Sequence, residues 1–109
     1  MFGNKMNAVE KAVKKNHAAA LIDLSQDKDK DVVMAAIAGM VSVGGDEVAH
    51  YLITRLQDPE PEMRTAVAQT LGNIGNKHTK AFLAAQLQKE KDEAVKEAIL
   101  QAMVKIKGY

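Results

Sequence analysis

The chain has 109 residues, of which 47% are hydrophobic and 27% charged, and its formal net charge is +1. This length suits one domain with a single core, and a net charge so close to zero argues against binding to nucleic acid or to an acidic membrane through a strong overall field. The sequence has no cysteine, which excludes disulfides, thiol catalysis and cysteine-based zinc sites. Its N-terminus, MFGNKMNAVEKAVKK, has no apolar run of signal-peptide length, and no segment approaches roughly 18 consecutive apolar residues, so we expect a soluble, cytoplasmic protein without a membrane span.

Composition favours helices over strands, because the chain contains seventeen alanines and few aromatic residues. The first predicted helix covers about residues 5–15 and places Met6, Val9 and Val13 on one side. Three pairs of helices follow. The first member of each pair, helix A, is predicted at about 16–25, 46–57 and 77–89, and the second, helix B, at about 30–43, 61–75 and 93–107.

The three pairs are copies of one another. A shift of 31 residues places Asp27 over Asp58 and Ala35 over Ala66. One extra loop residue in the third copy raises the shift to 32 and places Ala66 over Ala98. A period of this length is typical of stacked-repeat architectures. The sequence therefore predicts an all-α protein, an α-α superhelix of three helical-hairpin repeats at about 16–45, 46–76 and 77–107, preceded by a cap helix at about 5–15.

The middle copy resembles the HEAT repeat, and is similar in particular to the HEAT-like repeats first noted in phycobilisome lyases. The positions that carry this resemblance are Leu56, Asp58, Met63, Arg64, Ala66, Leu71, Gly72, Ile74 and Gly75. The flanking copies depart from the pattern, with Val33 and Lys96 at the arginine position. The resemblance covers roughly residues 16–107 and implies a solenoid in which Arg64 and Asp58 serve the packing of repeats.

Catalytic and metal sites find little support. Asp27, Asp29 and Asp31 have the spacing of a calcium loop, but its sixth and twelfth positions hold Val32 and Ala38 instead of glycine and glutamate. The three histidines, His17, His50 and His78, begin the three helices A, and none is followed three or four residues later by a carboxylate or a second histidine. No nucleophile elbow or phosphate-binding loop occurs. We therefore expect no enzyme activity, metal or cofactor.

Exposed helix surfaces remain as candidate binding sites. The side of the helices B that faces away from the helices A should line the concave surface of the solenoid. It holds Met34, Ala38, Ser42, Thr65, Gln69, Asn73, Glu97, Gln101 and Lys105. This set is nearly neutral, so it suits a protein or a peptide better than a phosphate backbone. The sequence thus predicts a non-catalytic scaffold or adaptor.

The two ends of the solenoid differ from its middle. Ile37 and Ala68 lie on a flank that should contact the next repeat, whereas in the last copy the same flank carries Leu100 and Val104 with no predicted repeat beyond them. End repeats usually need a polar outer face. We therefore expect a small exposed apolar patch at Leu100 and Val104, and either a monomer or a weak homodimer formed through the C-terminal repeat.

Two alternative functions are open. The resemblance to phycobilisome lyases implies an accessory role in tetrapyrrole (bilin) attachment, although no residue points to it. Nucleic-acid binding would use basic clusters, here Lys11, Lys14, Lys15 and His17 near one end of the chain and Lys105 and Lys107 near the other. Binders usually gather more phosphate contacts and aromatic side chains than this, so nucleic acid is the less favoured partner.

Overall fold

The computed structural model describes the backbone of residues 2–108 and the side chains of residues 5–108. This part of the chain forms seven α-helices and one 3-10 turn, and it contains no strand. The helices are α1 (Phe2–Lys14), α2 (Ala18–Leu24), α3 (Lys30–Val43), α4 (Gly45–Arg55), α5 (Pro61–Ile74), α6 (Lys80–Lys89) and α7 (Glu93–Lys105), and the 3-10 turn is Lys77–Thr79. The predicted all-α class is confirmed.

Local side-chain chemistry explains where the helices B begin. The carboxylate of Asp29 accepts the N–H of Asp31 at 2.9 Å, and that of Asp92 accepts the N–H of Val95 at 3.1 Å. These bonds satisfy N–H groups that have no partner within a helix. At the start of α5, Pro61 takes the first helical position, where no N–H is needed.

Helix α5 ends at Gly75, whose φ of 75° lies in the left-handed region that glycine adopts without strain. The third helix A differs from its prediction, because residues 77–79 form a 3-10 turn and α6 begins only at Lys80. There the side chain of Asn76 accepts the N–H of His78 at 2.9 Å, which closes a tight turn before the α-helix starts.

The helices form two layers. Helices α1, α3, α5 and α7 run parallel to one another and contact each other in that order, while α2, α4 and α6 run antiparallel to them on the other side. The equivalent residues Leu21, Leu52 and Leu83 are each fully buried between the layers. The described part of the chain measures 40 × 26 × 17 Å, as expected for a short solenoid.

Small residues let the parallel helices approach closely. A Cβ at Gly72 would lie 2.7 Å from the Cα of Ala102, so α5 and α7 touch almost backbone to backbone. Ile37 and Ala68 are also buried, which confirms that this flank packs on the next repeat. At the N-terminal end, α1 covers the first repeat through Val9 and its neighbours Ala12 and Val13, whereas Met6, expected to share this contact, is 39% exposed.

The acidic loops between helices A and B are turns held by their own carboxylates. Asp27, Asp58 and Glu90 each accept the backbone N–H two residues later, at 2.9, 2.9 and 3.1 Å. The expected packing role of Arg64 and Asp58 agrees with their contacts, which do not include an ion pair between the two side chains. The guanidinium of Arg64 donates to the backbone oxygen of Asp58 at 2.8 Å, and its carboxylate partner is Glu90.

None of the described helices is both long enough and apolar enough to cross a bilayer.

Candidate binding surfaces

A groove runs between α3 and α5 on the side away from the helices A. It has a volume of about 380 Å³ and is lined by Met34, Ile37, Ala38, Val41, Ala66, Gln69, Thr70 and Asn73. We call it the concave groove. It gathers four of the residues predicted for the concave surface, namely Met34, Ala38, Gln69 and Asn73. The predicted residues Ser42, exposed, and Thr65, half-buried, lie outside its lining.

The floor of the concave groove is apolar and its rim is polar but uncharged. Ile37 is 1% exposed and Val41 is half-buried, so these side chains form the bottom, while the amides of Gln69 and Asn73 are exposed above them. The sequence predicts a packing role for Ile37 and does not place Ile37 or Val41 in the groove, because their helical positions contact both the neighbouring helix and the groove. Their spacing could have identified them, because Ile37 follows the predicted groove residue Met34 by one helical turn and Val41 follows Ala38 by one helical turn.

The other predicted residues lie together on α7. Glu97, Gln101 and Lys105 line a shallow depression with Leu100 and Val104. Gln101 donates to the carboxylate of Glu97 at 3.0 Å. The ammonium group of Lys105 donates to Asn73 at 2.8 Å and so connects this surface to the rim of the concave groove.

Leu100 and Val104 are 47% and 80% exposed. The equivalent residues of the inner repeats, Ile37 and Ala68 for Leu100, are 1% and 0% exposed because the next helix B covers them. Helix α7 therefore presents to solvent the face that α3 and α5 bury.

The sequence profile described as HEAT repeats matches residues 18–104. The chain belongs to the HEAT repeat family. No curated protein matches the chain significantly. Among solved structures, it is similar to the crystal structure of epoxyqueuosine reductase with a tRNA-Tyr epoxyqueuosine-modified tRNA stem loop. The TM-score is 0.67 and the identity 28%, and the match covers 72% of this chain and 21% of that one. The HEAT repeat chain thus spans about a fifth of that reductase.

A second cleft opens where the loops of the first and second HEAT repeats meet. Its volume is about 600 Å³, and Ser25, Arg55 and Asp58 contribute to its walls. The guanidinium of Arg55 donates to the backbone oxygen of Ser25 at 3.0 Å and to the hydroxyl of Tyr51, and it lies over the Tyr51 ring with its Cζ 5.7 Å from the ring centroid. These contacts join two repeats, so Ser25, Tyr51 and Arg55 serve packing.

Two of the three aspartates of the calcium-like loop, Asp27 and Asp29, have protein partners for their carboxylates. Asp27 accepts from the ammonium group of Lys5 at 2.8 Å, which lowers the pKa of the Asp27 carboxyl, and Asp29 caps α3. This arrangement leaves Asp27 and Asp29 acting as turn and cap residues of the first HEAT repeat.

The histidines are exposed. His17 precedes α2 and His78 lies in the 3-10 turn before α6, whereas His50, expected near the start of its helix, lies in the middle of α4. The expectation that no histidine has a carboxylate three or four residues away is wrong for His50, which Asp46 and Glu47 precede by four and three residues. Among the described side chains, no three histidines or carboxylates are gathered closely enough to hold a metal ion.

Proposed function

We propose that this HEAT repeat protein is a non-catalytic scaffold that binds a protein or a peptide in the concave groove. The observation that carries the proposal is the combination of an apolar floor, formed by Ile37 and Val41, with an uncharged amide rim at Gln69 and Asn73. Apolar clefts with a few polar groups at their edges are typical binding sites.

The shape of the concave groove favours a helical or extended peptide over a small molecule. The groove lies between two parallel helices, and the surface of α7 extends it through the contact of Lys105 with Asn73. An amphipathic helix can lay its apolar side chains on such a floor while its polar side chains reach the amide rim. Because the floor is shallow, affinity should come from a few apolar anchors of the partner.

Peptides selected from a random display library on the wild-type protein would test this. The Ala38→Arg variant places a long charged side chain over the floor and should abolish binding of the selected peptides. The matched control is Gln88→Arg, which adds the same group to an exposed position of α6 on the opposite face. If the peptides bound the Ala38→Arg variant as well as they bound wild type, the groove would not be the binding site.

Nucleic-acid binding is a second candidate function. The support for it is the likeness to the epoxyqueuosine reductase whose crystal structure holds a tRNA stem loop. The concave surface itself contributes only Glu97 and Lys105 as charged residues. A nucleic-acid site would therefore have to lie elsewhere on the solenoid, and salt-dependent retention on heparin would reveal it.

We also propose a weak homodimer through α7. In addition to the exposed Leu100 and Val104, α7 carries Glu97 in its first half and Lys105 at its end, while Glu93 and Lys96 pair with each other. Antiparallel packing of two α7 helices about a two-fold axis near Leu100 would place each Glu97 near the partner's Lys105. The apolar patch is small, so the association should be weak.

A further inference from the structure

Two clefts between the loops occupy equivalent positions in successive repeats. The cleft of about 330 Å³ between the loops of the second and third repeats is called here the Arg64 cleft, and the cleft of about 600 Å³ between the loops of the first and second repeats the loop cleft. A shift of 31 or 32 residues relates their linings. It places Gln26, Asp27, Lys28, Val33, Arg55, Asp58 and Pro59 of the loop cleft over Gln57, Asp58, Pro59, Arg64, Gln86, Glu90 and Lys91 of the Arg64 cleft.

In the Arg64 cleft, acceptors from two loops hold one guanidinium. Nε and Nη2 of Arg64 donate to the carboxylate of Glu90 at 2.9 Å each. Nη1 donates to the backbone oxygens of Asp58 and Pro59 at 2.8 and 3.1 Å. The arginine thus bonds to the carboxylate of one loop and to two backbone oxygens of the preceding loop.

The loop cleft has the corresponding acceptors, but Val33 takes the place of Arg64. The two loops have the same form, because Asp27 and Asp58 each accept the N–H two residues later at 2.9 Å. The residues before α3 and α5 also have similar φ and ψ, −85° and 114° against −90° and 124°. Within the described part of the chain, no hydrogen bond reaches the backbone oxygens of Asp27 and Lys28, which correspond to the two oxygens that Arg64 uses.

The basic side chains beside the loop cleft do not take the place of the missing arginine. Nη1 of Arg55 is held by the first repeat and by Tyr51, and its Nε, buried and without a hydrogen bond, lies 3.4 Å from Oδ2 of Asp58. Lys30 pairs with Glu62 at 2.6 Å instead of with Asp58. Oδ1 of Asp58 accepts a backbone N–H of its own loop, so Oδ2 is the oxygen that remains for a donor.

The charge of the two clefts is balanced in the same way. The lining of the loop cleft holds three acidic and three basic side chains, namely Asp27, Asp58, Glu60, Lys28, Lys30 and Arg55. Without Arg64, the lining of the Arg64 cleft holds two of each, namely Asp58, Glu90, Lys89 and Lys91. A neutral lining of this kind therefore accommodates a guanidinium in this chain.

We propose that the loop cleft binds an arginine side chain of a partner protein. Its guanidinium donates to Oδ2 of Asp58 and to the backbone oxygens of Asp27 and Lys28, as that of Arg64 does one repeat later. The planar fork of a guanidinium reaches several acceptors at once, which the ammonium group of a lysine does not match. The aliphatic stem of the ligand lies against Val33 and Met63.

A second copy of this chain is not the source of the arginine. The sequence contains two arginines, Arg55 and Arg64, and both are bonded between repeats. The ligand therefore belongs to a different protein. The loop cleft shares no lining residue with the concave groove, so it adds a second contact to the proposed scaffold.

Titration of the ¹⁵N-labelled protein with N-acetyl-arginine amide, followed by NMR, is the direct test. Because Arg55 carries a like charge nearby, one side chain should bind with a dissociation constant of about 1–10 mM. Amide shifts should concentrate in residues 27–29 and 58–60. N-acetyl-lysine amide should bind about threefold or more weakly, and the uncharged N-acetyl-citrulline amide about fivefold or more weakly.

Two variants test the geometry independently. Asp58→Asn keeps an oxygen for the turn but loses the charge, and it should weaken arginine binding by about fivefold or more. Its matched control is Asp31→Asn, which removes the same charge from an exposed position outside the cleft and should bind like wild type. Val33→Arg places an arginine at the position of Arg64, so its own guanidinium should fill the cleft and abolish binding. Circular dichroism checks that each variant is helical.

Four results would overturn this site: no amide shifts up to about 50 mM ligand, equal affinity for the citrulline compound, equal losses in Asp58→Asn and Asp31→Asn, or tighter binding of inorganic phosphate by the same amides. A folded Val33→Arg variant that bound the arginine compound like wild type would also exclude it. The Ala38→Arg variant should lose the peptides selected for the concave groove and still bind the arginine compound. Either surface can therefore fail without the other.

Discussion

Arg64 on α5 and Glu90 in the loop before α7 form a two-pronged ion pair, with Nε–Oε1 and Nη2–Oε2 distances of 2.9 Å each. The Glu90 side chain is 1% exposed and also accepts from Gln86 at 3.0 Å and from the backbone of Asp92 at 3.1 Å. One carboxylate thus joins the second repeat to the third and holds the turn that starts the last helix. Buried pairs of this kind are sensitive to the loss of one partner.

Glu90→Gln should lower the free energy of unfolding by about 2 kcal/mol. Removing one partner of a buried ion pair usually lowers the free energy of unfolding by more than about 2 kcal/mol. The loss should be smaller here because Arg64 is partly exposed, so water can solvate its guanidinium in the variant. Urea unfolding measures the change. Glu93→Gln is the control, because Glu93 forms an exposed pair with Lys96 at 3.2 Å, and its loss should change stability by less than about 0.5 kcal/mol. Equal effects of the two substitutions would contradict the importance of the buried pair.

The same pair predicts how stability depends on pH. Hydrogen bonds from Arg64, followed by those from Gln86 and Asp92, lower the pKa of Glu90 from 4.5 to about 2 in the folded protein. A carboxyl group with a lowered folded-state pKa stabilises the protein above its unfolded-state pKa, and this contribution is lost as the pH falls toward the folded value. Stability should therefore decrease between about pH 4.5 and pH 2. In Glu90→Gln this part of the decrease should be absent, and urea midpoints across the range would show whether it is.

Gly72→Ala should be destabilising although alanine is the better helix former. The new Cβ would lie 2.7 Å from the Cα and 2.8 Å from the Cβ of Ala102, so α5 and α7 would have to separate. Such overpacking typically costs about 1–3 kcal/mol, which exceeds the gain in helix propensity of about 1 kcal/mol. Thermal unfolding should show a lower Tm.

Gly39→Ala is the matched comparison for that experiment. Its Cβ would lie 2.8 Å from Val13 Cγ2, a side-chain atom that can move, so the two helices need not separate. We expect a smaller loss of stability, or a small gain. A loss as large as that of Gly72→Ala would show that rigid contact with Ala102 is not the cause.

Self-association through α7 is expected only at high concentration. The exposed apolar patch consists mainly of Leu100 and Val104, which suggests a dissociation constant of about 0.1–1 mM. Sedimentation velocity over a concentration series measures it, and Leu100→Gln with Val104→Gln should leave a monomer at every concentration. Replacing the exposed Phe82 with glutamine should not alter the association. Unchanged association of the double variant would place the interface elsewhere.

Much of the architecture could be predicted because the repeat pattern and the capping residues at the helix ends can be recognised within short stretches of sequence. Helix α3 has the predicted bounds, since Asp29 caps its start and Gly44, with a φ of 62°, ends it. The partner of Arg64 could not be predicted in this way. Glu90 belongs to the next repeat, in a loop with one extra residue, and only the stacking of the two repeats brings the groups together.

Candidate sites were predictable to the extent that they lie on one helix face. The surface of α7 follows from helical spacing alone, as do Ala38 and Gln69. The loop cleft depends on the stacking of the first two repeats, which brings Asp58 to the same cleft as Asp27 and Lys28, and sequence spacing does not show it.

The contacts between the first and second repeats, the first joint, differ from those between the second and third repeats, the second joint. This difference has a mechanical consequence for the concave groove. At the second joint, Arg64 forms an ion pair with Glu90, and Gly72 contacts Ala102 closely. At the first joint, the position equivalent to Arg64 is occupied by Val33, which cannot form an ion pair. There the polar links between helices B are the solvated contacts of Lys30 with Glu60 and Glu62. The contacts of Arg55 and Tyr51 with Ser25 hold the first joint on the side of the helices A. On the side of the helices B, α3 and α5 should separate more readily than α5 and α7, and the groove lies between α3 and α5. A partner that binds in the concave groove should therefore be able to push α3 and α5 apart with little loss of free energy, while α5 and α7 keep their spacing.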